Sequence, residues 1–478
     1  MKMKMAKTWV VIMIGFLFSL SIPEYCAAQV VGEKGEGDKV YRLDKVIVRD
    51  HPLKEEGLVV TPEVTVINVD KFKKAGTVNN IQDLLSEALG IDVLRSSVTP
   101  SPSESVYIRG LDQSRIQIFV DGKPSRLFGG FGYYKIDWTT WPLDNVETIE
   151  VIRGSHSLLF PFAMGGVINI ITKKGIKTDA VKPKVTLKTE YGSYDTEAYS
   201  ASLLGGLLNT VGYSFAVASR QGDGYLRNNY FDTDNFSGRL SFYLPTNGTL
   251  SVGLDYVDSK TGNPVINVPS RADFDPSYPI VPEDVDTFTH GPEGHAYPGA
   301  GDSFWGKRVR DTNVLLEQPI GPGEIRAQLW DHNSSRDIYY VKADGTQSIS
   351  EDTEEDIWGV TLDLLNFDLI ADHAFSVGGY YHSMGASTPT GWDVKDWIEI
   401  WSGYVQDVWS MTPRLTATYG FRYYRFEVDT WKPNHVGPWT NFDYRKVEKE
   451  FCPKVRLDYQ FKPDLTLYAA ASREIRME

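Results

Sequence analysis

The residues of this chain best placed to do chemistry are charged groups set at fixed points around short apolar runs. Arg109 follows Val106-Tyr107-Ile108, while Glu147, Glu150 and Arg153 bracket the run from Thr148 to Ile152. Lys173 and Lys174 close the run from Val167 to Ile171. Ion pairs in water contribute only about 0–1 kcal/mol, so the meaning of these charges depends on what surrounds them. A second group, Asp273, Asp275, His290 and His295, falls in the long stretch 263–308. These residue types can ligate metal, but in a long loop they read first as solvated side chains. No nucleophile stands beside a base, and no glycine-rich loop is placed to cradle phosphate. The chain therefore reads as a non-enzyme with no cofactor and no metal site. Its two cysteines, Cys26 and Cys452, exclude a disulfide framework, and a net charge of -14 excludes a nucleic-acid partner.

The charged positions need a domain to hold them, and residues 58–178 supply the signals of a compact α+β unit. Val64 to Val69 reads as a strand. Ile81, Leu84, Leu85, Ala88 and Leu89 repeat at helical spacing up to Gly90. Two further strands, Val106–Gly110 and Ile116–Val120, follow, the second entering the tight-turn pair Asp121-Gly122. The β-branched runs 148–152 and 167–171, punctuated by Gly154 and Gly165-Gly166, complete the core. Between the Asp121-Gly122 turn and the run 148–152 lies an aromatic loop, 126–138, carrying Phe131, Tyr133 and Tyr134.

The amino terminus carries an address. Lys2, Lys4 and Lys7 precede an apolar run from Trp9 to Leu20, and small residues at Cys26 and Ala28 fit a cleavage site before Gln29. Residues 1–28 are expected to be a signal peptide, and the run is too short to cross a bilayer as a helix. Residues 29–57 form a glycine- and charge-rich linker that holds one β-prone stretch, Asp44-Lys45-Val46-Ile47-Val48-Arg49-Asp50. An isolated strand on a tether suits recognition by strand addition to a partner.

From about Pro183 the texture becomes a period-two alternation, as in Thr249-Leu250-Ser251-Val252-Gly253-Leu254 and Lys454-Val455-Arg456-Leu457-Asp458-Tyr459. About thirteen such strands of roughly 9–14 residues fit tilted membrane-crossing strands. A soluble sandwich would alternate too. Three features favour an antiparallel transmembrane β-barrel instead. Aromatic residues make up 13% of the chain and sit near strand ends, short turns alternate with long loops, and an export signal is present.

Taken together these stretches resemble the TonB-dependent outer-membrane receptors. LDKVIVRD (43–50) is similar to the TonB box. VYIRGLDQSRIQIFVDGKP (106–124), NVETIEVIRGSHSLLF (145–160) and AMGGVINIITKK (163–174) are similar to the two most recognisable plug segments, and LTLYAAASREIR (465–476) resembles a strand from inside the family's barrel. Arg49-Asp50 replace the small or hydroxyl residues that usually end the box. Ser155 stands where proline is common, and Pro161 where glycine is.

The resemblance implies a plug domain at 58–178 and a barrel at 183–478, within a family whose barrels have about 22 strands. Thirteen strands then read as a barrel truncated at its carboxyl side, with roughly nine strands missing. It further implies active uptake of a metal chelate, a ferric siderophore first, with cobalamin or another chelate as the alternative. A remnant that only binds TonB or substrate is the other alternative. The partners implied are periplasmic TonB, energised by ExbB–ExbD, the chelate and outer-membrane lipid. Residues 44–50 would grip TonB. Arg109, Glu147, Glu150 and Arg153 would dock the plug in the lumen, and Phe131, Tyr133 and Tyr134 would meet substrate. The short stretch before the box leaves no room for a signalling domain, so transport without direct transcriptional signalling is expected.

Overall fold

The β-branched runs form the centre of a mixed sheet. A computed structural model of the protein describes parts of 41–60 and most of 64–180, where the longest breaks are 74–79, 95–104 and 126–137. It also describes 183–475, with breaks at 282–302, 342–346, 391–393, 433–441 and 463–464. The sheet order in the inner domain is Leu53–Glu55, Leu58–Val60, Val64–Asn68, Val146–Arg153, Gly166–Thr172, Ile116–Val120, Lys123–Pro124. Only the pairing of Gly166–Thr172 with Ile116–Val120 is parallel among these neighbours. One sheet face carries Ile149, Val151, Ile168 and Ile118, which pack on Ile81, Leu84 and Leu85 of the helix Ile81–Leu85. The other face carries Phe119, Ile152 and Val167 against Phe160.

The helix is shorter than its apolar spacing suggests. It starts at a capping box between Asn80 and Asp83 and gives way to turns after Leu85, and Leu89 is 71% exposed instead of joining the core. The cause is local. Gly90 takes a left-handed φ of 74°, and the Leu89 carbonyl turns out to accept hydrogen bonds from Arg153.

Gly166 is required by its backbone. Its φ is 147°, and a Cβ there would stand 2.7 Å from the Ile152 carbonyl oxygen. Gly166→Ala is therefore expected to cost about 1–3 kcal/mol, read as a lower melting temperature of the purified chain. An unchanged melt would mean that this strand end shifts freely.

The second sheet has thirteen antiparallel strands in simple sequential order, from Lys184–Gly192 to Leu465–Ser472, and in the described residues it is open. The strand count matches the sequence reading, but the lengths do not. The first five barrel strands have 9–14 residues, whereas the seven from Phe304–Ile320 to Phe442–Lys462 have 17–21. About ten tilted residues suffice to cross the hydrocarbon, so the longer strands continue beyond it. There polar stretches such as Glu351–Asp356 keep pairing across the sheet.

Burial decides between barrel and sandwich. On Phe231–Tyr243, Ser237, Arg239 and Ser241 are at most 1% exposed, while Leu240 and Phe242 on the alternate face are each 37% exposed. Val252 and Leu254, then Tyr419, Phe421 and Tyr423, repeat the pattern on other strands. The apolar face points away from the protein and the polar face is covered, the inverse of a soluble sandwich.

Candidate functional site

What covers that polar face is the inner domain, and the seam between the two is where the chain's buried charges meet. The tight turn after Ile116–Val120 enters the seam first. Asp121, left-handed at φ 50°, accepts from the Thr172 backbone N–H (3.0 Å) and the Thr172 hydroxyl (2.8 Å). The Arg239 guanidinium of the wall reaches the same carboxylate at 2.5 Å, with both side chains 1% exposed. Burial pushes the Asp121 carboxyl up, but Arg239 and the Thr172 donors outweigh it and hold the group below the usual carboxylate range. Arg326 donates to the Asp121 carbonyl oxygen at 2.5 Å. Two residues on, Lys123 meets Asp311 at 2.5 Å, and the other oxygen of Asp311 lies 3.1 Å from His332 Nδ1. The seam here also holds a small cavity lined in part by Lys123, Asn145, Thr172, Ser237, Asp255 and Asp311.

A second attachment lies toward the last strands. The Leu158 carbonyl accepts from Arg422 Nε (2.9 Å) and Nη2, and Leu159 from Nη2 (3.4 Å). Gln406 accepts from the Leu158 N–H at 3.3 Å. Phe162, left-handed at φ 59°, stacks on Tyr424 with ring centroids 4.8 Å apart and lies near Phe426. Its N–H donates to the Tyr424 hydroxyl at 3.1 Å. Ile400, Met384 and Cys452 complete this apolar pocket. Beyond the sheet, Lys174 meets Glu317 at 2.8 Å and the Gly175 carbonyl accepts from Tyr243, fixing the chain where it passes into the wall.

Of the four docking residues expected from sequence, Arg153 and Glu150 have described contacts inside the inner domain. Arg153 is buried in the inner domain, donating to the Leu89 carbonyl and the Thr65 hydroxyl. Burial first, and the neighbouring Arg109 charge second, bring its guanidinium down to about 10. These hydrogen bonds tie helix turn to sheet within the inner domain. Glu150, also buried, accepts from Asn169 on the adjacent strand at 2.9 Å. Arg109 and Glu147 are exposed, and the Arg109 N–H donates to the Gly90 carbonyl at 2.8 Å. Of the residues that span the seam, Asp121, Lys123 and the Leu158–Phe162 turn were legible only as a turn signal and as a departure at Pro161. Of the expected box, Ile47–Val48 pairs with Tyr41–Arg42, and Asp44, Lys45, Val46, Arg49 and Asp50 lie outside the described residues. Phe131, Tyr133 and Tyr134, and His290 and His295, also lie outside them.

Asp273 and Asp275 do not form a metal cluster among the described residues. Asp273 is clamped by Arg271 (2.9 Å) and Arg227 (3.3 Å), while Asp275 accepts from Ser277. Partial burial pushes the Asp273 carboxyl up, but the arginines win and lower it; the Ser277 bonds lower Asp275. Depressed carboxylates stabilise above their ordinary range, and that contribution is lost as pH falls through the folded value. Segment 263–281 is expected to become protease-sensitive below about pH 4 while the strands stay intact, which limited proteolysis across a pH series would read. Equal cleavage at neutral and acid pH would refute the clamp.

Two family models match the chain: the TonB-dependent receptor plug domain over residues 59–167 and the TonB-dependent receptor-like β-barrel over residues 323–477. Among solved structures the chain is similar to FpvAI in its complex with pyocin S2 (17% identity, 92% of this chain and 61% of that one, TM-score 0.65). It is similar to the ferripyoverdine receptor of the Pseudomonas aeruginosa outer membrane bound to ferripyoverdine (17%, 89% and 60%, 0.63). The siderophore receptor PiuA from Acinetobacter baumannii gives 16%, 86% and 64%, with TM-score 0.65. The chain thus spans less than two thirds of the length of each of these three.

Proposed function

The chain belongs to the TonB-dependent receptors, and from that premise we propose that it carries a metal chelate, in class a ferric siderophore, across an outer membrane. The family is one of receptors and transporters rather than of enzymes. The observation that carries the proposal is the seam. A folded domain fills the polar face of a lipid-facing wall, and it is held there by discrete buried contacts that can be broken one set at a time. Similar receptors of ferripyoverdine and of siderophores use this fold, which supports the ligand class.

In this reading residues 1–28 direct export, and the strand at 44–50 is offered to TonB. Main-chain hydrogen bonds would supply the grip, and Val46 and Val48 the side-chain contacts. Force drawn from the ExbB–ExbD energy supply then reaches the plug, and the attachments at Asp121, Lys123 and Phe162 are what it must release. Phe131, Tyr133 and Tyr134 on the aromatic loop are the proposed chelate contacts. Deleting 44–50 is expected to abolish uptake of radiolabelled ferric siderophore by iron-starved cells while leaving binding at the cell surface intact. Undiminished uptake would refute the box, and uptake of cobalamin in place of iron would change the ligand class.

A further inference from the structure

On the covered face of the wall, four buried side chains on two strands carry polar atoms with no partner among the described residues. They are Gln328 (both amide atoms), Trp330 Nε1, His332 Nε2 and His382 (both ring nitrogens). Their exposures are 2%, 2%, 4% and 4%. The sheet register brings them together. Trp330 lies opposite Gly359 on one side, and His382 lies opposite Gly359 on the other; Gln328 and His332 flank Trp330 on its own strand. Gly359 leaves the space that the Trp330 ring occupies, so that a Cβ there would collide with the indole. Across that gap the Trp330 and His382 rings are 6.0 Å apart.

Buried donors and acceptors without partners are costly and rare, and where they cluster they mark a place that a polar molecule occupies. The fixed chemistry of the cluster narrows the choice. Trp330 can only donate, Gln328 brings two further N–H donors, and His382 always carries at least one. His332 is oriented by Asp311, the same carboxylate that holds Lys123 of the plug.

We propose that Gln328, Trp330, His332 and His382 form a transit site in the wall, beside the plug, for the anionic oxygen groups of a chelate. The site rests on the import reading, since only a passing ligand would reach it. Its link to the plug runs through His332, whose ring shares the Asp311 carboxylate with Lys123.

The probes are ferric citrate, ferric acetohydroxamate and a ferric catecholate, titrated into the purified full chain and read by tryptophan fluorescence quenching. At least one is expected to bind, with His382→Phe and Gln328→Leu each weakening it tenfold or more. Both substitutions remove partnerless polar atoms, so the melting temperature without probe is expected to hold or rise, which separates lost binding from lost folding. Binding unaffected by either variant, or no binding of any probe to the wild-type chain, would overturn the site. Import is scored separately by the 44–50 deletion in cells. A dead importer that still shows His382-dependent binding sinks the import reading alone.

Discussion

Asp121→Ala is expected to destabilise the seated plug by about 3–5 kcal/mol, because it leaves the Arg239 guanidinium buried without its carboxylate. The pair is 1% exposed on both sides and lies at 2.5 Å, so no solvent is at hand to replace the lost partner. The substitution also removes the acceptor of two hydrogen bonds donated by Thr172, at the end of the strand that anchors the plug core. Arg239→Met alone should cost a similar amount, for the converse reason. The double variant should recover much of the loss, since no lone charge remains. Melting of the purified chain, together with tryptic cleavage inside 106–172, reads all three. Strictly additive losses would show that the two groups do not act as a pair.

Acid should mimic the substitution. The Asp121 carboxyl is held below its ordinary value, so its contribution is complete above the unfolded range near pH 4 and vanishes as pH falls through the folded value. Plug release on acidification is expected to be steep in the wild-type chain and flatter in Asp121→Ala.

The second large effect is expected at Phe162. Phe162→Ala removes an aromatic side chain that is 5% exposed and stacked on Tyr424, a loss of about 3–5 kcal/mol for a buried phenylalanine. Alanine returns none of the backbone strain, because the left-handed conformation costs about 1–3 kcal/mol for any residue with a Cβ. The two numbers make a useful comparison with Phe162→Gly, which gives up the same ring but relieves the backbone as well. Glycine should therefore be the milder variant by up to that strain. Hydrogen exchange over 158–164 would resolve the two. Were both to leave exchange unchanged, the Arg422 contacts to Leu158 and Leu159 would be holding this turn by themselves.

The two attachments differ in kind, which has a consequence for release. The Asp121–Lys123 turn is held by charge and responds to acid or to a competing ion. The Phe162 turn is held by an apolar pocket and by an arginine on main-chain carbonyls, and titrates with neither. A pull from the amino-terminal side meets Val64–Asn68, which pairs with Val146–Arg153 in the middle of the plug sheet, before it reaches either attachment.

Much was legible in the residues themselves. β-Branched runs between glycines gave the central strands within a residue or two. The Asp121-Gly122 pair announced a turn, and strict alternation after Pro183 announced a wall of strands whose number the structure matches. Each of these rests on local preferences, which act over a few neighbours and so are written in the order of the chain. The direction of the wall's apolar face was not written there, since alternation is the same whether the apolar side meets lipid or a second layer.

The docking contacts were hidden for a further reason. Asp121 and Arg239 are 118 positions apart, Lys123 and Asp311 188, and Leu158 and Arg422 264. A lone arginine on the polar side of a strand looks like any solvated charge until a register places it against a carboxylate. Arg153 shows the same limit from the other side. Its type and its place after a core strand suggested a contact outward, yet it turns inward to the Leu89 carbonyl, which is available because the helix ends early. The sequence by itself determined the plug, the strands and the class of molecule. Which charges are buried, and against which partners, was decided only by tertiary packing, because desolvation and pairing depend on distances that local sequence does not set.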